Sequence, residues 1–257
     1  MAFPDVLDKS FYNGYTIFKT IYKLKEARFR VWCSFLFPNR DSVLERTLKT
    51  GTTTVGMIVD NSIILATDTR VTSGFFVAHR RGKKVHQLSK WIAITIAGRV
   101  ADAQALIDLL KANINYYEIT RNEQINVLTV ARFAQNYMFR SRYFPYIAQL
   151  IIGGIDNQGP HLYNIDPLGS VTEEKVIATG SGSPVALGVL EPVYSDNLSF
   201  DDAVKLAFKA VAASIRRDAG SGDSIDVAYI KPETGYRELT LDEKIPLYKE
   251  YLRYAPV

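Results

Sequence analysis

Two periodicities alternate along the chain. Residues 52–59 (TTTVGMIV) and 62–69 (SIILATDT) are β-rich runs around Asp60-Asn61, which predicts a hairpin. GKKVHQL (82–88) and WIAITIAG (91–98) repeat the pattern around Ser89-Lys90. The spacing then changes. Ala103, Leu106, Ile107 and Leu110 recur at helical intervals, as do Val127, Val130, Ala131, Ala134 and Met138. Helices over 102–116 and 125–142 are predicted. Strands return at 147–155 (IAQLIIGGI), 161–166 (HLYNID) and 175–180 (KVIATG).

A third helix starts near Ser183-Pro184. A fourth starts at Ser199, an N-cap with Asp202 three residues on, and its apolar face is Val204, Ala207, Phe208, Val211 and Ile215. IDVAYI (225–230) and YRELT (236–240) form a closing hairpin, and a short polar helix follows. Hairpin-joined strands give antiparallel sheets, and the helices are grouped rather than alternating with strands. The fold class predicted is α+β: two antiparallel sheets face to face with a helix pair on each outer side, a four-layer αββα sandwich.

The first 51 residues do not follow this pattern. Residues 11–37 (FYNGYTIFKTIYKLKEARFRVWCSFLF) mix aromatic and basic residues, with Ile17, Ile21 and Leu24 on one face of a weak amphipathic helix over 17–30. Charge lies between the apolar patches rather than ahead of them, unlike a signal peptide. This segment holds 9 Lys/Arg against 5 Asp/Glu, and the remainder holds 22 of each, so the net charge of +4 sits in the leader. The body has no basic footprint for nucleic acid. No run approaches the ~20 apolar residues of a membrane span. One cysteine, Cys33, and three scattered histidines (His79, His86, His161) rule out a disulfide framework and offer no metal cluster. No organic cofactor signature is present, and a reduced, cytoplasmic setting is expected.

Candidate chemistry centres on Gly51-Thr52. A threonine run opening a strand is ordinary β-propensity. If the Gly51–Thr52 bond were cut, however, Thr52 would carry a hydroxyl and a free α-amine of pKa near 7.7–8.0, a nucleophile with its own base. Asp68 and Lys84, read on adjacent strands, would by themselves be a surface ion pair of little energetic weight. Ser181 and Ser221 lie in Gly-rich loops where serine is common. Asp218 falls at a helix end where an acid opposes the dipole.

Taken in order, GTTTVG, ATDTRVTSG, GKKVHQL, TIAGRVADAQ, ATGSGSP and RRDAGSGDSIDVAYI closely resemble the catalytic β subunits of archaeal 20S proteasomes, across residues 50–240. The resemblance implies the N-terminal-nucleophile hydrolase fold and a threonine endopeptidase that needs no cofactor. By it, residues 1–51 are a leader, removed or arising from a misplaced start, and 52–257 are the peptidase domain. Thr52 is the nucleophile exposed by self-cleavage after Gly51. Lys84 is the cation beside it, Asp68 the partner of that cation, and the Gly98 N–H the oxyanion donor. Ser181, Asp218 and Ser221 surround the free amine. Main chain around Thr72, Gly98 and Val100 pairs with an extended peptide. Val71, Gly82, Ile96 and Val100 line an apolar, uncharged pocket for a hydrophobic residue before the cut bond, with His86 where another aromatic is more usual.

The resemblance also implies partners: proteasome α subunits and further β subunits in stacked heptameric rings, unfolded polypeptide as substrate and a separate ATPase. Neither nucleic acid nor membrane is expected. Three alternatives stay open. One is an unprocessed, architectural β subunit. Another is an N-terminal-nucleophile peptidase of the bacterial two-ring type. The third is a membrane-surface role for the basic leader.

Overall fold

The computed structural model describes residues 51–143 and 145–252, so the helix read over 17–30 lies outside the described residues. Strands β1 (Thr54–Val59) and β2 (Ser62–Asp68) form the predicted hairpin. Asp60 and Asn61 have φ of 46° and 54°, the left-handed pair that a two-residue turn needs. The next strands are β3 (Val71–Ser73), β4 (Phe76–His79), β5 (Val85–Gln87) and β6 (Ile92–Gly98). Helices α1 (Val100–Arg121) and α2 (Val127–Arg140) follow. Then come β7 (Ala148–Asp156), β8 (Gly159–Ile165), β9 (Val171–Glu173) and β10 (Val176–Thr179). The chain continues with α3 (Ser183–Leu190), α4 (Phe200–Ile215), β11 (Ile225–Lys231), β12 (Gly235–Glu238) and α5 (Leu241–Tyr251).

The strands form two five-stranded sheets, ordered β10-β1-β2-β11-β12 and β5-β6-β7-β8-β9, with β3-β4 as a separate ribbon. Period-two alternation sorts their side chains. On β2, Ile64 and Ala66 face the helices, whereas Ile63 and Leu65 meet Ile151 and Leu162 of the other sheet. Gly153 keeps the sheets close, since a Cβ there would lie 2.7 Å from Ile63 Cγ2. Ile92, Ile94 and Leu150 pack under Leu106, Leu110, Val130 and Ala134 of α1 and α2. Val55, Met57 and Val227 pack under α3 and α4. The αββα layering is therefore as predicted, built on three apolar interfaces.

Three details differ from the sequence reading. The terminal helix α5 is not merely polar: Leu247 and Tyr248 are buried, and Tyr248 stacks edge-on against Phe208 at 5.0 Å, so this layer holds three helices. The β3-β4 ribbon and the edge strand β9 were not predicted, because their mostly exposed residues have no alternating apolar face. Helix α1 runs on to Arg121, where Asn122 stops it with φ of 53°.

Helix α5 also fixes the loop before β11. The Tyr248 hydroxyl accepts from Ile225 N (2.6 Å) and donates toward Ser224 Oγ (3.2 Å) in a fully buried setting. Tyr248→Phe leaves the Ile225 N–H without that acceptor. The expected loss is about 1–3 kcal/mol of unfolding free energy, measured by urea denaturation.

Candidate active site

Thr52 lies two residues before the start of β1, the strand flanked by β10 and β2. Asp68 ends β2, and its N–H donates to Thr53 O at 3.1 Å. Lys84 precedes β5 in the opposite sheet and is fastened there by Ile96 N donating to Lys84 O at 3.0 Å. The two residues are therefore on different sheets, not adjacent strands. Their ion pair is interior, not a surface pair: Lys84 Nζ lies 2.7 Å from Asp68 Oδ1, with side chains 8% and 0% exposed. The same ammonium donates to Thr52 Oγ1 at 3.0 Å.

Asp68 is held on both oxygens. Oδ1 accepts from Thr53 N (2.9 Å) and Lys84, and Oδ2 accepts from Arg70 N (3.1 Å) and Gly222 N (3.0 Å). Burial pushes the Asp68 carboxyl above its ordinary range, opposed by the Lys84 charge and these donors. Burial likewise pulls the Lys84 ammonium below its ordinary value, opposed by Asp68. The result is a positive charge held against the Thr52 hydroxyl oxygen, where it favours loss of the hydroxyl proton. A lysine so desolvated also gives up a proton more readily than an exposed one.

On the other side, Thr52 N donates to Ser181 Oγ at 3.1 Å. Ser181 Oγ and Ser221 Oγ each donate to Asp218 Oδ2 at 2.6 Å. Ser181 thus reaches the Thr52 nitrogen directly. Ser221 instead meets the Thr53 hydroxyl at 2.7 Å, a residue that sequence reasoning passed over. Gly51 is tightly enclosed. Its N–H donates to Thr72 Oγ1 at 3.0 Å, its carbonyl accepts from Thr52 Oγ1 at 2.6 Å, and a Cβ on it would lie 1.9 Å from Gly220 Cα.

Gly98 closes β6 with φ of 135°, and a Cβ there would lie 2.2 Å from Ile147 O. Its own backbone therefore demands glycine, independently of any close approach by a ligand. Val100 opens α1, so its backbone is that of a helix start and not of a strand, which departs from the expectation of strand-like pairing there.

Thr52, Val71, Thr72, Gly82, Ile96, Gly98 and Val100 all border one cavity of about 750 Å³. The expectation of an uncharged lining is corrected here: Arg70, Arg80, Arg81, Lys83 and Lys84 also border this cavity, with Gln104 and His86. Arg80 and Lys83 lie outward, with side chains 67% and 52% exposed and Lys83 paired with Glu238 at 2.6 Å, whereas Arg70 and Lys84 are turned inward onto Asp223 and Asp68. Ile96 is buried. Burial pulls the His86 imidazole below its ordinary value, and its Nε2 lies 3.1 Å from Lys83 O. The residues that sequence reasoning missed (Thr53, Arg70, Gly220 and Gly222) act through backbone or through neighbours in the fold. Only the compact RDAGSGD motif hinted at the last two.

Among the described residues, no group of three or more His, Cys, Asp or Glu could hold a metal ion, and no helix is long and apolar enough to cross a membrane. The profile of the family described as "Proteasome subunit" matches residues 48–230. "Proteasome subunit beta 2" of Aeropyrum pernix is 50% identical over 194 residues, covering 76% of this chain and 88% of that protein. The protein of the same description from Hyperthermus butylicus is 48% identical over 199 residues, covering 77% and 92%. "Proteasome subunit beta" of Ferroglobus placidus is 47% identical over 194 residues, covering 75% and 92%. With a sandwich of antiparallel sheets under this match, the chain belongs to the proteasome subunit family and is a 20S proteasome β subunit.

Proposed function

We propose that the chain is a catalytic β subunit, a threonine endopeptidase whose nucleophile is Thr52 and whose residues 1–51 are a leader ahead of the 52–257 peptidase domain. The observation that carries this reading is the Lys84 ammonium, 3.0 Å from Thr52 Oγ1 and paired with a carboxylate that is wholly buried. A buried cation beside a hydroxyl has little structural purpose, and the same arrangement activates a nucleophile.

Maturation begins with Thr52 Oγ attacking the Gly51 carbonyl carbon as its proton is taken up by a neighbouring base. The base returns that proton to the Thr52 nitrogen as the Gly51 C–N bond breaks, so the Gly51 acyl group passes from nitrogen to oxygen. Water hydrolyses the ester, releasing a leader that ends in the Gly51 carboxylate. Thr52 is left with a free amine and a free hydroxyl. In each later turnover the amine takes the hydroxyl proton and Oγ attacks the substrate carbonyl carbon. The Gly98 N–H stabilises the oxyanion. The amine product leaves with the proton, and water hydrolyses the acyl ester. The Ser181–Asp218 pair aims the amine, and Ser221 braces Asp218. Thr72 and Gly98 offer main chain to an extended peptide, which suits substrates of varied sequence.

Assembly with other proteasome subunits follows from family membership. The finer reading is stacked heptameric rings with α subunits in the cytoplasm, fed with unfolded polypeptide by a separate ATPase. The exposed Tyr116, Ile119 and Phe139 of α1 and α2 and the neighbouring Tyr143 support subunit contact there.

Intact-mass analysis of the particle formed with α subunits is expected to give a β chain beginning at Thr52. Thr52→Ala is expected to retain the leader and abolish turnover. Lys84→Ala, compared by peptide hydrolysis, is expected to lower kcat roughly 10²–10⁴-fold. A wild-type particle that degrades unfolded protein with Gly51 still attached refutes the proposal. The pH profile of kcat/KM is expected to rise as the Thr52 amine loses its proton near about 7.7–8.0. It then falls as Lys84 deprotonates, at a pH below the ordinary lysine value of 10.5 because burial disfavours the charged form. Peptides with leucine or tyrosine before the cut bond are expected to turn over faster than those with aspartate, since Val71, Ile96, Val100 and Ala103 give the cavity an apolar wall. Comparable rates would refute that preference.

A further inference from the structure

The carboxylate–hydroxyl group beside the Thr52 nitrogen sits on the segment between α4 and β11, and one side chain ties that segment to β2. Arg70, two residues past Asp68, donates from Nε to Asp223 Oδ2 at 2.9 Å and from Nη1 to Ala219 O at 3.2 Å. Its guanidinium lies against Gly222, where a Cβ would come within 2.2 Å of Arg70 Cζ. The side chain therefore grips the segment on both sides of Ser221. The Arg70 backbone N–H meanwhile donates to Asp68 Oδ2, the same oxygen that accepts from Gly222 N.

Asp223 is the pivot. Its φ of 68° is a left-handed conformation that a non-glycine residue adopts at a cost. Its side chain is 8% exposed, and its second cation, Arg80, is 3.9 Å away and 67% exposed. The buried carboxylate thus depends mainly on Arg70. Without it, an uncompensated charge would favour a different path for the segment. Lysine has one donor group and cannot reproduce a planar fork that reaches residues 219 and 223 together.

We propose that Arg70 is a positioning residue for the peptidase reaction: its fork sets the backbone path of residues 218–223. That path keeps Asp218 and Ser221 in place behind Ser181 and Thr52, and keeps the Gly222 N–H on Asp68. Arg70 acts through these groups and takes no proton itself. The proposal rests on Thr52 as the nucleophile.

The processed particle, formed with α subunits, is compared as wild type, Arg70→Lys, Arg70→Ala, Asp223→Asn and the Arg70→Ala/Asp223→Asn double variant. The readouts are peptide hydrolysis across pH and hydrogen–deuterium exchange of residues 217–224. Arg70→Ala and Asp223→Asn are each expected to lower kcat about tenfold or more, with KM changed by less than roughly threefold. Each is also expected to shift the acid limb of the pH profile, which reports the amine, and to speed exchange of 217–224. Arg70→Lys recovers only part of the loss. The double variant falls within about twofold of the weaker single one, because both remove the same contact. Unchanged exchange overturns the clamp. Faster exchange with unchanged kcat and pH profile overturns the positioning role. If Arg70→Ala does not assemble, the near-isosteric Asp223→Asn is judged by the same criteria. An inactive wild type refutes the nucleophile reading alone, since exchange still reports whether Arg70 holds the segment.

Discussion

A lysine and an aspartate, one from each sheet, meet in the interior at one end of the sandwich. Neither charge would be stable there alone, because desolvation works against both. Each is tolerated because the other is present and because backbone donors complete the carboxylate's shell. This mutual dependence fixes the geometry. The ammonium is held at the one place where the end of β2 and the segments leading into β5 and β1 converge, and Thr52 Oγ1 is its remaining partner.

Much of the surrounding architecture brings these three chain segments together. Glycines at 56 and 153 let the sheets approach, so a lysine side chain from one can reach an aspartate on the other. The β1-β2 hairpin places Thr53 opposite Asp68, and this register leaves Thr52 just beyond the paired strands. The segment before β11 closes the site from the far side and is held by Tyr248 of α5 and by Arg70. Beside Thr52, the buried Ile96 with the more open Val71 and Val100 gives the cavity an apolar wall.

Gly51 is closely built into the fold. Its carbonyl receives the hydroxyl of the next residue, and its α-carbon sits against that of Gly220. Both contacts are local to the bond that the proposed maturation breaks. The hydroxyl and the carbonyl are adjacent in sequence, so the folded subunit has only to set their rotation and to shield them.

The alternating and helical periodicities by themselves determined the layers, because side chains on a strand or helix segregate according to spacing alone. The turn at Asp60-Asn61 and the cap at Ser199 were legible for the same local reason. Motif order marked Thr52, Asp68, Lys84, Ser181 and Asp218 as a set. It left Asp68 and Lys84 on neighbouring strands and Ser221 against the amine. Only the tertiary structure put the ion pair across two sheets, turned Ser221 toward Thr53, gave Arg70 its hold on residues 219–223 and added charges to the cavity's edge. Those outcomes depend on which sheet faces a side chain and which loop passes over it. Contacts between residues 16 to 168 positions apart are set by packing, not by spacing along the chain.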